Sequence, residues 1–166
     1  MYDILLIRYG EIGTKGKNRY VFEQRLQANI ERALQGLGID QVERAHARFY
    51  VPLQANAADM VHRLEKVFGI ASISPVKRVP LSKEAITEAA LEIMGARLSK
   101  EVLSGPAQRT FKVETKRANK GFPYTSPEMN RDLGADLLQA FPNLSVDVHE
   151  PQLTLQVEIR ENFRDR

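Results

Sequence analysis

The chain has 166 residues, with 24 Lys and Arg against 21 Asp and Glu, and a formal net charge of +3. Hydrophobic residues make up 43% and charged residues 27%, which is typical of a globular protein with one or two small domains. There is no cysteine, which excludes disulfides, a thiolate zinc site and thiol chemistry on this chain. The apolar run at residues 4–7 is too short for a signal peptide or a membrane span, so we expect a cytoplasmic protein.

The first half of the chain has the periodicity of a small α+β domain. Apolar or alternating stretches predict four strands, at residues 4–7, 41–45, 48–53 and 70–76. Helical spacing of apolar residues predicts one helix after Asn18 and a second after Asn56. The predicted order is β-α-β-β-α-β, which is the ferredoxin-like pattern.

The second half predicts an α/β domain, and Val79-Pro80 marks the boundary between domains at residues 1–78 and 79–166. A long helix is expected after Ser82, and another begins at Ser126 with Pro127 at its first position. Strands are predicted from residue 109, at residues 145–148 and at residues 153–159. Gly134 lies beside the inner face of the second helix, where we expect a neighbouring backbone to come close.

The segment at residues 109–120, RTFKVETKRANK, is strongly basic, with five cations and one anion. Its apolar positions alternate with charged ones, so a strand here would bury one face and present charge on the other. A loop that contains Arg117, Lys120, Phe122 and Tyr124 follows. Cations interleaved with aromatic rings favour a partner that offers phosphates and stackable bases. A solvated strand face with a basic turn is the alternative interpretation.

A glycine-rich loop at residues 10–16 leads into the first helix. Four cations surround it: Arg8, Lys15, Lys17 and Arg19. A phosphate-binding P-loop has four residues between its glycines and a Ser or Thr after its Lys. Here five residues separate Gly10 from Gly16, and Asn18 replaces the hydroxyl residue. A nucleotide triphosphate site is therefore not expected, and the loop either binds a small anion or only turns the chain into the helix.

No catalytic constellation is found in the sequence. The three histidines, His46, His62 and His149, lack ligand spacing, so we expect no metal site. No carboxylate pair and no nucleophile motif stands out. The sequence predicts a binding protein rather than an enzyme.

Two passages resemble a known family. Residues 6–19, LIRYGEIGTKGKNR, closely resemble the start of the bacterial tRNA 4-thiouridine synthetases, also called thiamine biosynthesis sulfurtransferases. Residues 111–134, FKVETKRANKGFPYTSPEMNRDLG, resemble the signature of the THUMP domain, which comes next in those enzymes. Together the passages span the chain and imply an N-terminal ferredoxin-like domain followed by an RNA-binding THUMP domain. THUMP domains also occur on RNA methyltransferases, pseudouridine synthases and deaminases.

The resemblance also shows which parts of the family this sequence lacks. The family's catalytic domain has an S-G-G-x-D-S loop that binds ATP with magnesium, and a cysteine that handles sulfur. The chain has neither, so the resemblance implies the tRNA-binding portion of an ATP-dependent sulfurtransferase that makes 4-thiouridine, either truncated or encoded as a split protein. It implies no cofactor and no catalytic residue on this chain, and it allows a homodimer of the full-length protein.

In that family the THUMP domain holds the 3′ end of the tRNA acceptor stem. The resemblance therefore assigns Lys116, Arg117 and Lys120 to phosphates of the acceptor end, assisted by the helix that begins at Ser126. Phe122 or Tyr124 would stack on a base, although Pro123 favours packing for Phe122. A secondary patch would contain Arg8, Lys15, Lys17 and Arg19.

The sequence leaves three alternative functions open. The chain could be the RNA-binding module of another THUMP-containing tRNA-modifying enzyme. It could be a regulatory domain that binds a small anion in the loop at residues 10–16. It could also be a protein-interaction or dimerisation module whose basic strand meets an acidic partner.

Overall fold

The computed structural model describes residues 2–10, 17–39, 41–45, 47–54, 57–101 and 108–160. The chain divides into two compact units, Met1–Arg78 and Val79–Arg166. The elements of the first unit are β1 (Ile4–Tyr9), α1 (Lys17–Ala33), β2 (Glu43–Ala45), β3 (Arg48–Pro52), α2 (Ala57–Leu64) and β4 (Ile70–Val76). Those of the second unit are α3 (Lys83–Glu101), β5 (Arg109–Arg117), α4 (Ser126–Ala140), β6 (Leu144–Val146) and β7 (Leu153–Ile159).

The first unit is built on an antiparallel sheet in the order β2-β3-β1-β4. β1 lies between β3 and β4, and its residues Leu5, Leu6 and Ile7 are all buried, because apolar side chains are covered on both faces of this central strand. One core cluster joins the strands to both helices through Leu5, Ile7, Phe49, Val51, Leu26, Ile30, Met60 and Leu64. The predicted ferredoxin-like fold is confirmed.

Gly69 ends the turn between α2 and β4. Its φ of +103° belongs to the region that glycine adopts without strain. A Cβ at this position would also lie 3.3 Å from the ring of Phe22. The backbone conformation therefore favours glycine here, and a larger residue would also require the Phe22 ring to shift by a few tenths of an ångström.

The second unit has a parallel sheet in the order β6-β5-β7. The apolar residues of α3 and α4 form one core cluster with one face of this sheet. On β5 the core positions are Phe111, Val113 and Thr115, which are 0%, 9% and 7% exposed. The predicted alternation of this strand is thus observed, and the opposite face presents Lys112, Glu114 and Lys116.

The segment between β6 and β7 connects strands on opposite sides of β5. Thr110 and Gln152 fix it by a reciprocal pair of hydrogen bonds: each backbone N–H donates to the other's side-chain oxygen at 3.0 Å. The carboxylate of Asp147 accepts from the N–H groups of His149 and Glu150, which lowers the pKa of Asp147. The connection between β6 and β7 therefore has no helix and is held by short hydrogen bonds.

α4 begins at Ser126, as predicted, but two finer expectations about this helix were wrong. The N-cap is Thr125, whose Oγ1 accepts from the N–H of Glu128, and Pro127 is the second residue of the helix. Apart from its chain neighbours and the adjacent backbone of its own helix, no described heavy atom lies within 4 Å of a Cβ built on Gly134. This glycine is buried, but it does not serve a close backbone approach.

Candidate nucleic-acid interface

The basic loop follows directly from the end of β5. The N–H groups of Ala118 and Asn119 donate to the carbonyl of Ile159 at 2.8 and 3.0 Å, which places the start of the loop over the end of β7. The side chain of Asn119 accepts from the N–H of Gly121 at 3.0 Å, and its carbonyl accepts from Phe122 at 3.3 Å. These contacts form a tight turn that carries Lys120 on an exposed position.

The side chain of Arg117 stabilises this loop by hydrogen bonds to its backbone carbonyls. Its Nη1 donates to the carbonyls of Phe122 at 3.0 Å and Tyr124 at 3.4 Å. The side chain is half-buried, because residue 117 shares the core-facing parity of Phe111, Val113 and Thr115. A guanidinium has five N–H donors, so it can fix the loop and still offer donors to a phosphate.

The two aromatic residues of the loop have different environments. Phe122 is 4% exposed and packs in the core of the second unit. Tyr124 is half-buried, and its ring centroid lies 5.7 Å from that of Phe122 at an interplanar angle of 56°. Of the two rings, that of Tyr124 is the less buried, and it packs against the edge of the core.

Lys83, at the start of α3, contacts this loop and was not predicted as a site residue. Its Nζ lies 4.3 Å from the centroid of the Tyr124 ring and 2.5 Å from Oδ2 of Asp132 on α4. Hydrogen bonds from Lys83 and Arg131 lower the pKa of Asp132, and the bond to Asp132 raises the pKa of Lys83. Lys83 and Tyr124 meet only in the folded chain, so no local sequence signal could have found the pair.

The N-terminus of α4 is largely satisfied by its own residues. Thr125 Oγ1 accepts from the N–H of Glu128 and donates to its carboxylate at 2.9 Å, and the N–H of Met129 bonds to the Thr125 carbonyl. Pro127 has no N–H to offer. A carboxylate and a filled cap weaken this helix end as an anion site, contrary to our expectation for the helix at Ser126.

The cations of β5 do not form one continuous patch. Arg109 and Arg117 are at opposite ends of a nine-residue strand, about 26 Å apart along it. Lys112 lies 4.0 Å from the carboxylate of Glu114. Lys116 is exposed, stands opposite Glu158 in the ladder with β7, and lines a shallow depression with Glu114 and Glu158. The open sheet face therefore has mixed charge, and Lys116 is its basic residue next to the loop.

The structure gives less support to the secondary patch in the first unit. Arg19 donates through Nε to Glu23 at 3.0 Å, and this contact raises the pKa of Arg19. Arg8 is half-buried on β1, opposite Arg48 in the ladder with β3. Lys15 and the loop at residues 10–16 fall largely outside the described residues, as does the side chain of Lys17.

Within the described ranges, no group of three metal-ligating side chains is close enough to hold an ion. None of the helices in those ranges is long and apolar enough to cross a membrane. The resemblance implies ATP and magnesium for the catalytic domain rather than for this chain.

Comparison with known proteins identifies the family. Residues 4–74 match the ThiI ferredoxin-like domain, and residues 82–163 match the THUMP domain. The chain belongs to these two domain families. This confirms the resemblance that the motifs at residues 6–19 and 111–134 predicted.

Relatives that align with nearly the whole of this chain are named as probable tRNA sulfurtransferases. A probable tRNA sulfurtransferase of Thermoanaerobacter pseudethanolicus is 46% identical over 161 residues, which cover 97% of this chain and 40% of the relative. One from Moorella thermoacetica is also 46% identical, with 97% and 39% covered. The chain thus spans about two fifths of the length of these curated relatives.

Two solved structures share the fold closely. A 4-thiouridine synthetase in complex with RNA and bound ATP is 38% identical with a TM-score of 0.83, covering 96% of this chain and 39% of that one. A protein of Pyrococcus horikoshii is 33% identical with a TM-score of 0.81, covering 96% and 51%. Both align over nearly the whole of this chain and over about half or less of their own.

Proposed function

We propose that this chain is the tRNA-binding portion of an ATP-dependent tRNA sulfurtransferase that makes 4-thiouridine. The observation that carries the proposal is its match, over 96% of its length, to a part of a 4-thiouridine synthetase solved with RNA. The match of residues 4–74 to the ThiI ferredoxin-like domain favours this family over other enzymes that contain a THUMP domain.

The loop after β5 is the surface that we assign to the acceptor-stem 3′ end. Lys116 and Lys120 are exposed on either side of Arg117, which braces the loop and has donors to spare. Tyr124 supplies the ring for a terminal base, because Phe122 is committed to the core. Backbone bonds to Ile159 set the loop in place before any ligand arrives, which reduces the entropy lost on binding.

The chemical steps belong to the remainder of a longer protein. ATP, magnesium and the sulfur-carrying cysteine would act there, while this chain holds the tRNA. A homodimer of such a protein and its presence in the cytoplasm, where tRNA is modified, are further parts of this proposal. A downstream reading frame that encodes S-G-G-x-D-S would support the parent activity independently of any binding assay.

Binding of labelled tRNA at increasing salt concentration tests the proposal. A chain that neutralises several phosphates loses affinity steeply as salt rises, with a slope of about 0.9 per phosphate contact on a duplex. We expect such a slope for tRNA and for a minihelix that ends in single-stranded C-C-A. A slope near one would favour the small-anion alternative. No RNA binding at low salt would contradict the proposal, and would leave the protein-interaction alternative.

A further inference from the structure

The ring of Tyr124 is held between two neighbours of different kinds. Phe122 is buried, and its ring centroid lies 5.7 Å from that of Tyr124. Its ring therefore limits the movement of the Tyr124 ring on that side. The ammonium group of Lys83 lies 4.3 Å from the same centroid, which is within the range of a cation–π contact. The position of the Tyr124 ring therefore depends on a residue from outside the loop.

Lys83 is itself fixed by two elements. It is the first residue of α3, whose start is capped by Ser82 through a 3.1 Å bond from the N–H of Ala85. Its ammonium meets Asp132 on α4 at 2.5 Å, and Asp132 also accepts from Arg131 at 3.2 Å. The contact thus joins the start of α3, the second turn of α4 and the loop.

The charge of Lys83 is already matched. The carboxylate of Asp132 neutralises the ammonium of Lys83 locally. The Lys83 side chain is only 24% exposed, whereas that of Arg131 is 74% exposed. A cation in this position is a poorer partner for a phosphate than the exposed Lys120. It is better suited to orient the ring that it covers.

We propose that Lys83 is a positioning residue of the RNA-binding loop, holding the Tyr124 ring in the orientation that accepts the terminal base. The inference rests on the proposed tRNA-binding function and adds a residue from outside the signature at residues 111–134. A ring that is ordered beforehand loses less rotamer freedom when a base stacks on it. Without Lys83 the ring would sample other rotamers, and part of the affinity for the 3′ end would be lost.

The test compares four single variants of the full chain, and the double variant Lys83→Met/Tyr124→Leu, in binding to a C-C-A-ended minihelix. Lys83→Met should weaken binding roughly threefold to tenfold with an unchanged salt slope, and Lys83→Arg should restore it, since arginine keeps both the ion pair and the cation–π contact. Arg131→Met is the matched control: it removes an equal charge and a partner of Asp132 but leaves the cation over Tyr124. Tyr124→Leu should remove the effect of Lys83→Met.

Asp132→Asn gives an independent test, and it also serves if Lys83→Met fails to fold. It makes the chain more positive by one charge, so simple attraction predicts tighter RNA binding. If Lys83 positions the Tyr124 ring, loss of its ion pair with Asp132 should instead weaken RNA binding. Tighter binding with a steeper salt slope would overturn the inference.

Three further outcomes would also reject the positioning role. A salt slope lowered by about one in Lys83→Met would show a direct phosphate contact. An equal loss in Arg131→Met would show a general charge effect. An undiminished effect of Lys83→Met in the Tyr124→Leu background would show that Lys83 acts without the ring. Failure of the unmodified chain to bind tRNA would reject the proposed function itself, and is thereby distinguished from these results.

Discussion

Arg117 donates from Nη1 to the carbonyl of Phe122 at 3.0 Å and so closes the loop that follows its own strand. Lys116, its neighbour in sequence, points to the opposite face of the sheet and is exposed. Two adjacent cations of one basic segment therefore have different roles. Arg117 supports the shape of the site, and Lys116 supplies charge at its edge.

Replacing each of these cations by methionine should separate the two roles. Arg117→Met removes two partly buried hydrogen bonds to loop carbonyls, at 3.0 and 3.4 Å. The net contribution of a hydrogen bond to a charged group is about 1.5–3 kcal/mol, and a long or partly solvated bond contributes less. We expect the free energy of unfolding to fall by about 1–3 kcal/mol in Arg117→Met. In Lys116→Met we expect it to stay within about 0.5 kcal/mol of the parent value. Urea denaturation measures both. Equal losses in the two variants would contradict the bracing role of Arg117.

The exposed lysines on both sides of Arg117 should control the salt dependence of RNA binding. Lys116→Ala combined with Lys120→Ala should weaken tRNA binding by about 1–3 kcal/mol and lower the salt slope by roughly two. Arg109→Ala combined with Lys112→Ala removes the same charge from the other end of β5 and is the matched control. We expect the control to lose distinctly less affinity. Equal losses would indicate a diffuse electrostatic attraction rather than a site at the loop.

The free 3′ end should be needed for tight binding. Proteins that recognise the end of an RNA depend on unpaired nucleotides, and one base stacked on an aromatic ring contributes about 1–3 kcal/mol. A minihelix trimmed of its single-stranded C-C-A should therefore lose at least roughly tenfold in affinity, or about 1.4 kcal/mol. Competition binding with tailed and blunt minihelices measures this. Equal affinity would mean that only the duplex backbone is recognised.

In β5, the alternation of apolar and charged residues predicted the directions of the side chains better than the number of charges did. It predicted the buried positions 111, 113 and 115 correctly. The same parity assigns residue 117 to the core side, so the bracing position of Arg117 could have been anticipated from the sequence. The resemblance, by contrast, placed Arg117 and Lys116 together as phosphate ligands without regard to the direction of their side chains. Periodicity is the better guide to side-chain direction at the end of a strand.

Other features required tertiary information. The contact between Lys83 and Tyr124 depends on how α3 packs beside the loop, which no periodicity encodes. Pro127 was expected at the first position of α4 and is the second, because Thr125 and Ser126 are both good N-cap residues and only the backbone conformation distinguishes them. Gly134 has no neighbour within 4 Å of a Cβ, although glycine in a buried helix often indicates close packing.

That open space leads to a stability prediction for α4. Alanine is favoured over glycine in a helix interior by about 0.8–1.0 kcal/mol, so Gly134→Ala should raise the free energy of unfolding by up to about 1 kcal/mol. Gly95→Ala in α3 is the matched comparison, because its Cβ would lie 3.3 Å from the ring of Phe141. We expect a smaller gain or a loss there. Denaturant unfolding of both variants checks the ranking, and a destabilised Gly134→Ala would reveal a neighbour that the structure does not place there.

The ion pair between Lys83 and Asp132 should make stability depend on pH at both extremes. Hydrogen bonds from Lys83 and Arg131 lower the pKa of Asp132 below its ordinary value of about 3.9. The carboxylate therefore stabilises the fold fully above that value, and the contribution disappears as the pH falls through the lowered pKa. The raised pKa of Lys83 has the opposite sense: its contribution is complete below the ordinary value of about 10.4 and is lost as the pH rises through the raised pKa.

Asp132→Asn isolates the acidic half of this dependence. The variant should melt at a lower temperature than the parent near neutral pH, because Lys83 and Arg131 lose the charge of their shared partner. As the pH falls from about 4 towards 2, the parent protonates Asp132 and the two melting temperatures should converge. Thermal melts at a series of pH values measure the difference. A gap that stays constant down to about pH 2 would mean that the ionised carboxylate does not provide the stabilisation, and that the contact to Lys83 acts through packing alone.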